Sequence, residues 1–162
     1  MTGGSVRFTA MNESEKPTDR TSEPDAPASP AASSRHLDVV IDRPWREVYA
    51  FASDPRNLPR WAGGLAGSEV QREVSQWSMS SPMGRVLVSF VPENDLGVVD
   101  HTVTLPTGES VLNPLRVLPL TEESCEVVFT LRRGSMSEAE FDEDAAAVRA
   151  DLETLKEICE QG

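Results

Sequence analysis

Between Val74 and Arg133 apolar and polar residues alternate, turn residues recur, and one histidine, His101, falls in step with the apolar set. Alternation with period two marks strands that bury one face. Turns centred on Ser81-Pro82-Met83-Gly84, Glu93-Asn94-Asp95-Leu96, Thr107-Gly108 and Leu120 to Glu123 divide the stretch into an antiparallel meander. These centres set a register. Met79 should face Val86, and Trp77 should face Val88. In the second hairpin Phe90 meets Val99, Val88 meets His101 and Val86 meets Val103. In the third, Val103 meets Leu112, His101 meets Pro114 and Val99 meets Arg116. In the last, Leu118 meets Cys125, Arg116 meets Val127, Pro114 meets Phe129 and Leu112 meets Leu131.

Neighbours across a ladder share a face. One face is therefore expected to carry Trp77, Met79, Val86, Val88, Phe90, Val99, His101, Val103, Leu112, Arg116, Leu118, Cys125, Val127, Phe129 and Leu131. Such a face is either a plain core or the lining of a pocket. Pro114 cannot donate to a ladder, so a bulge is expected near Asn113-Pro114, and it would turn Arg116 outward. The opposite face would gather Val91, Val98, Leu115, Val117 and Val128, an apolar patch suited to pairing two copies of the chain.

The flanks supply helices. Leu37, Val39 and Ile41 alternate as a strand. Asp42 is expected to cap a helix over 43–52, with Pro44 in its first turn, where a missing N–H costs nothing. Ser53-Asp54-Pro55 stops that helix and starts a second, short one through Arg60 or Trp61. Gly63, Gly64 and Gly67 read as a loop. From Ser137 a long helix follows, with Glu140 at capping-box spacing. Its stripe of Phe141, Ala145, Val148, Leu152, Leu155 and Cys159, widened by Ile158, must be buried. Its nine acids and two bases are expected on the solvated side.

Residues 1–34 hold four prolines, many Ser, Thr and Ala, and one aromatic. Such a segment cannot bury enough apolar surface to offset chain entropy. It reads as a disordered tail before a domain over 35–162, with Met11 an alternative start. The net charge of -12 argues against binding nucleic acid, which needs a basic face. No run is apolar enough to span a membrane, and the polar N-terminus leads to no expectation of a secretory signal. Cys125 and Cys159 lack metal spacing and form no disulfide framework, so a reducing cytoplasm is expected.

Strand, two short helices, meander and long amphipathic helix make an α+β order. A curved antiparallel sheet wrapped around the last helix, the helix-grip arrangement, buries both apolar surfaces at once. The segments Val39-Val40-Ile41-Asp42-Arg43-Pro44-Trp45-Arg46-Glu47-Val48-Tyr49-Ala50-Phe51 and Asp54-Pro55-Arg56-Asn57-Leu58-Pro59-Arg60-Trp61 resemble the opening of the SRPBCC superfamily. That superfamily includes START lipid-transfer domains, polyketide cyclases and birch-pollen-allergen-like proteins. The resemblance spans roughly residues 36–160. It implies a cavity between the sheet and the C-terminal helix, with Trp61 near its mouth.

The expected function is binding of a small hydrophobic molecule, lipid or polyketide-like, in that cavity. The ligand-facing residues would be Trp61, Trp77, Met79, Val88, Phe90, His101, Arg116, Phe129, Phe141, Val148 and Leu152. His101 is either a bonded core histidine or a polar anchor, neutral because buried. Arg116, if inward, would need an anionic partner. With both inside one cavity, a cyclase or dehydratase using His101 as acid and base and Arg116 as oxyanion holder is the alternative. A protein-interaction module without a ligand is a further one. No Ser-His-Asp set, phosphate loop or metal-ligand cluster occurs, so neither metal nor cofactor is expected.

Overall fold

The computed structural model describes residues 33–162, so all but the end of the proposed tail lies outside the described residues. The chain begins with β1 (Ser34–Ile41), then α1 (Trp45–Ala52). A 3-10 turn (Pro55–Asn57) leads into the short α2 (Leu58–Trp61), and a second 3-10 turn covers Gly63–Leu65. Seven strands follow: β2 (Val70–Arg72), β3 (Trp77–Ser81), β4 (Gly84–Phe90), β5 (His101–Thr104), β6 (Ser110–Asn113), β7 (Leu115–Pro119) and β8 (Cys125–Arg132). The last element is α3 (Glu138–Gln161).

All pairings are antiparallel, in the orders β1-β8-β7 and β2-β3-β4-β5-β6. The two sheets are joined where β6 passes into β7 through Pro114. Without an N–H, Pro114 interrupts the ladder as expected. Its carbonyl still accepts the Thr130 N–H, and the Leu115 carbonyl accepts the Val99 N–H. The α3 stripe closes the inner face: Phe141, Ala145, Val148, Leu152 and Leu155 are all buried, with Leu37, Val39, Ile41, Val127 and Leu131 in the same core. This is the helix-grip architecture. The capping box at Ser137 and Glu140 starts α3 as expected: the Ser137 hydroxyl accepts the Glu140 N–H, and the Glu140 carboxylate accepts the Ser137 N–H.

The register departs from expectation in an instructive way. The first hairpin pairs Trp77 with Val88 and Met79 with Val86, as expected. The second is shifted by two residues: Phe90 meets His101 and Val88 meets Val103. A shift of two keeps every side chain on its face. The third turn holds three residues, Pro106-Thr107-Gly108, between the paired Leu105 and Glu109. Gly108, at φ 89, supplies the left-handed position such a loop needs. One extra residue reverses the parity of β6 and β7. Thus Leu112 and Leu118 are exposed, Arg116 lies on the outer face, and Leu115 and Val117 are fully buried. The β7–β8 turn is also off by one, pairing Val117 with Val127 and Leu115 with Phe129. The two errors cancel, so Cys125, Val127, Phe129 and Leu131 point inward as expected.

Three further expectations are corrected. Asp42 does not cap α1: Pro44 is the N-cap residue, without a side-chain cap, and the Asp42 N–H donates to the Glu160 carboxylate at 2.8 Å. Strand β2 precedes the alternating stretch, and Val74 is fully exposed. The outer apolar patch loses Leu115 and Val117 to the core.

Candidate functional site

Most of the anticipated lining residues are buried in the interior between sheet and α3. Met79, Val88, Phe129, Phe141, Val148 and Leu152 are each nearly inaccessible, and so is Trp61 at the end of α2. The Trp61 indole N–H has no partner among the described residues. Trp77 and Phe90 are partly buried.

His101 sits in the middle of a transverse row formed by Phe90, His101 and Asn113 on adjacent strands. Phe90 stacks on the imidazole with centroids 5.0 Å apart. The Val99 carbonyl lies 3.1 Å from Nδ1, and a carbonyl only accepts, so Nδ1 carries the hydrogen and donates. Nε2 is then the acceptor, and the Asn113 amide approaches it at 3.5 Å. Burial holds the imidazole neutral, its pKa pushed down to about 4. Both ring nitrogens therefore face protein partners. The Asn113 Oδ1 has none among the described residues.

Arg116 is on the other side of the sheet. Its guanidinium pairs with the Asp100 carboxylate, which also accepts the Leu115 N–H at 2.9 Å. Asp100, adjacent to His101 in sequence, points to the opposite face with Arg116. His101 and Arg116 thus occupy opposite faces and are not brought together.

A cavity of about 590 Å³ opens beside α1. Arg46, Tyr49, Ala50 and Ser53 recur at helical spacing and present one face of α1 to it. Arg72 and Trp77, across the β2–β3 hairpin, form another wall. The loop after β4 closes it with Val91, Glu93, Asn94 and Asp95. That loop is held firmly. The Asn94 Oδ1 accepts the N–H groups of Leu96 and Val98, its amide donates to the carbonyls of Pro92 and Val98, and its own N–H donates to the Tyr49 hydroxyl at 2.8 Å. Gly97, at φ 71, lies so close to β7 that a Cβ there would stand 2.0 Å from the Val117 carbonyl oxygen.

The cleft's charges are largely paired. Arg56 grips Asp54 with bonds of 2.6 to 3.1 Å and holds its carboxyl below the usual range, while Arg46 pairs with Asp95 at 3.1 Å. Sequence reasoning named Tyr49 only within the segment Val39 to Phe51, read Asn94 as a turn residue and passed over Arg72. The spacing of Arg46, Tyr49, Ala50 and Ser53 was a readable signal. The approach of Arg72 and Trp77 to that helix was not, because it depends on tertiary packing.

Two acids of α3 face inward, against the expectation that its acids were all solvated. Asp144 and Asp151 are 1% and 5% exposed. The Asp151 carboxylate accepts the Gly63 N–H at 2.9 Å. Burial, reinforced by the nearby Asp144 charge, raises its pKa to about 7 against the Gly63 bond. Cys125 and Cys159 are free thiols, each pushed up to about 11 by burial, which leaves them poor nucleophiles at neutral pH. Among the described residues no cluster of His, Cys, Asp or Glu could hold a metal ion, and no helix is long and apolar enough to cross a membrane.

The chain matches no family model and no curated protein in sequence. Its structure resembles several solved ones. A START superfamily protein from Mycobacterium smegmatis aligns with TM-score 0.60 and 12% identity over 79% of this chain and 97% of that one. A conserved protein from Geobacillus kaustophilus aligns with TM-score 0.63 and 9% identity over 80% and 96%. Truncated norcoclaurine synthase from Thalictrum flavum aligns with TM-score 0.54 and 12% identity over 78% and 92%. At such identities the likeness is one of fold: this chain shares the helix-grip fold with a START superfamily protein and with norcoclaurine synthase.

Proposed function

We propose that this protein binds a small, largely apolar molecule in the cleft beside α1. The observation that carries this reading is the place of Trp77. Its indole lines the cleft, and its cross-strand partner is the buried Val88 of the inner face. The cleft thus has an aromatic wall fixed by the sheet, whereas Met79, Val88, Phe129, Phe141, Val148 and Leu152, expected to line a cavity under α3, are packed in the core and do not line it. Concave sites with an apolar body and a few fixed polar groups are what small-molecule binding requires. Trp77, Val91, Ala50 and the ring of Tyr49 supply the apolar body. Arg72 and the Tyr49 hydroxyl offer polar points on its walls. The structural likeness to a START superfamily protein and to norcoclaurine synthase supports a ligand-binding use of the fold.

Binding accounts for the geometry better than cyclase or dehydratase chemistry. Such chemistry needs a proton carrier and an oxyanion holder in one cavity. His101 has both nitrogens engaged and Arg116 lies on the outer face. Two free thiols support the cytoplasm as the compartment. Pairing of two copies through the outer face now rests on Val91, Val98 and Val128 alone, and light scattering that finds only monomer at high concentration removes it.

The test uses a neutral apolar fluorophore, N-phenyl-1-naphthylamine, titrated into the full chain. Saturable enhancement at one site per chain is expected. Ala50→Trp, which fills the cleft from an exposed helix position, should abolish it. Equal binding by the wild type and this variant overturns the reading.

A further inference from the structure

The cleft beside α1 contains hydrogen-bond capacity that the protein itself does not use. Tyr49 is 8% exposed. Its oxygen accepts the Asn94 N–H, so its own hydrogen is left to donate into the cleft. Arg72 is exposed, lies with its guanidinium 5.8 Å from the centre of the Trp77 ring, and has no carboxylate partner among the described residues. The other two arginines are matched, Arg56 by Asp54 and Arg46 by Asp95. Glu93 is the one remaining charge of opposite sign, and it is exposed to water at the opposite wall.

What the cleft leaves unmatched is thus a cation beside the Trp77 ring and a neutral donor on the α1 wall. Resting on the binding function proposed above, we propose that the ligand is an aromatic acid. Its ring packs on Trp77, and its carboxylate or acidic phenol oxygen is held by the Arg72 guanidinium and the Tyr49 hydroxyl. A guanidinium suits this role because it presents paired N–H groups to an oxyanion while its flat face stays against an aromatic ring. A charge-assisted bond at the mouth also explains how an acid could be selected by a chain whose net charge is -12. The general field repels anions, and only a local, aromatic-backed cation reverses it.

The experiment titrates the full chain with 2-naphthoate, 2-naphthalenemethanol and 2-naphthylmethylamine, which share a ring system and differ in charge. Binding is followed by calorimetry and by the shift of the Trp77 indole N–H resonance. The acid should bind at least about tenfold more tightly than the alcohol, and the amine most weakly. Arg72→Gln should remove that tenfold advantage for the acid and leave the alcohol unchanged, and Tyr49→Phe should weaken the acid with Trp77 still responding. If the alcohol or the amine binds as well as the acid, or if Arg72→Gln leaves the acid unaffected, the acid assignment falls while the cleft survives as a site. If none of the three moves the Trp77 resonance, the binding function falls and this inference with it.

Discussion

The carboxylate of Asp151 takes the N–H of Gly63 and so ties the turn after α2 to the middle of α3. It does this from a buried position, with its second oxygen unpartnered among the described residues. Burial raises its pKa from 3.8 to about 7 in the folded protein. Below 3.8 both folded and unfolded chains hold the proton and no cost arises. Between 3.8 and 7 the folded chain keeps a proton that the unfolded chain releases, so stability falls as pH rises, and above 7 the full cost of the buried charge is present. Asp151→Asn keeps an oxygen for Gly63 and cannot ionise. It should stabilise the protein at pH 8 by on the order of 2–4 kcal/mol and have almost no effect near pH 3.5. Urea unfolding at the two pH values measures the difference.

His101 acts with the opposite sign. Its pKa falls from 6.5 to about 4, mainly through burial. Above 6.5 it is neutral in both states. As pH falls from 6.5 to 4 the unfolded chain takes up a proton that the folded chain refuses, and stability is lost. In that window the folded chain holds the Asp151 proton and the unfolded chain holds the His101 proton, so the two slopes cancel. Asp151→Asn should therefore expose a loss of about 1.4 kcal/mol per unit as pH falls from 6.5 to 4. His101→Leu should show a gain of similar size over the same range. Parallel pH profiles for wild type and both variants would disprove the coupling.

These two groups also show how far the sequence could be read. His101 was legible because its parity in β5 survived a register shift of two, and only odd shifts change a face. The outward place of Arg116 was anticipated through a bulge at Pro114, but its cause lies earlier, in the single extra residue of the Pro106-Thr107-Gly108 turn that reverses β6 and β7. The choice between a two- and a three-residue loop there rests on the backbone of Gly108, and Thr107-Gly108 suits either. Asp151 was misread for a different reason. It lies three residues after Val148 and one before Leu152, which places it on the buried side, but its charge suggested solvent. Periodicity was the better guide than polarity. The cleft was legible only in part: helical spacing marks the wall made by Arg46, Tyr49, Ala50 and Ser53, but Arg72 and Trp77 meet α1 only through the folded path of the sheet.

The C-terminus of α3 is anchored by Arg43. Its guanidinium donates to the carbonyls of Cys159 at 3.0 Å and Glu160 at 3.1 Å, in the last turn where helical carbonyls lack partners. Lys156 adds a bond of 2.7 Å to the Val40 carbonyl. Arg43→Ala should lower stability by about 1–2 kcal/mol. Arg43→Lys should recover only part of it, since an ammonium lacks the planar spread that reaches two carbonyls. Hydrogen exchange should localise the loss to the last turns of α3 and the start of α1.

Gly97 links stability to the cleft. Its φ of 71 favours glycine, and the space beside it is filled by the Val117 carbonyl, whose residue in turn donates its N–H to the Gly97 carbonyl at 2.8 Å. Alanine at this position meets both obstacles together: a backbone conformation that side chains rarely adopt and a contact with main chain that cannot rotate away. Gly97→Ala should therefore cost about 2–4 kcal/mol, above what conformational strain alone would cost. The consequence for function follows from Asn94, which holds the same loop and donates its N–H to Tyr49. Displacement of the loop from β7 would loosen that bond and widen the cleft. The variant should bind N-phenyl-1-naphthylamine more weakly even at temperatures where it remains folded. Unchanged dye affinity in a destabilised Gly97→Ala protein would show that the loop supports the fold without shaping the site.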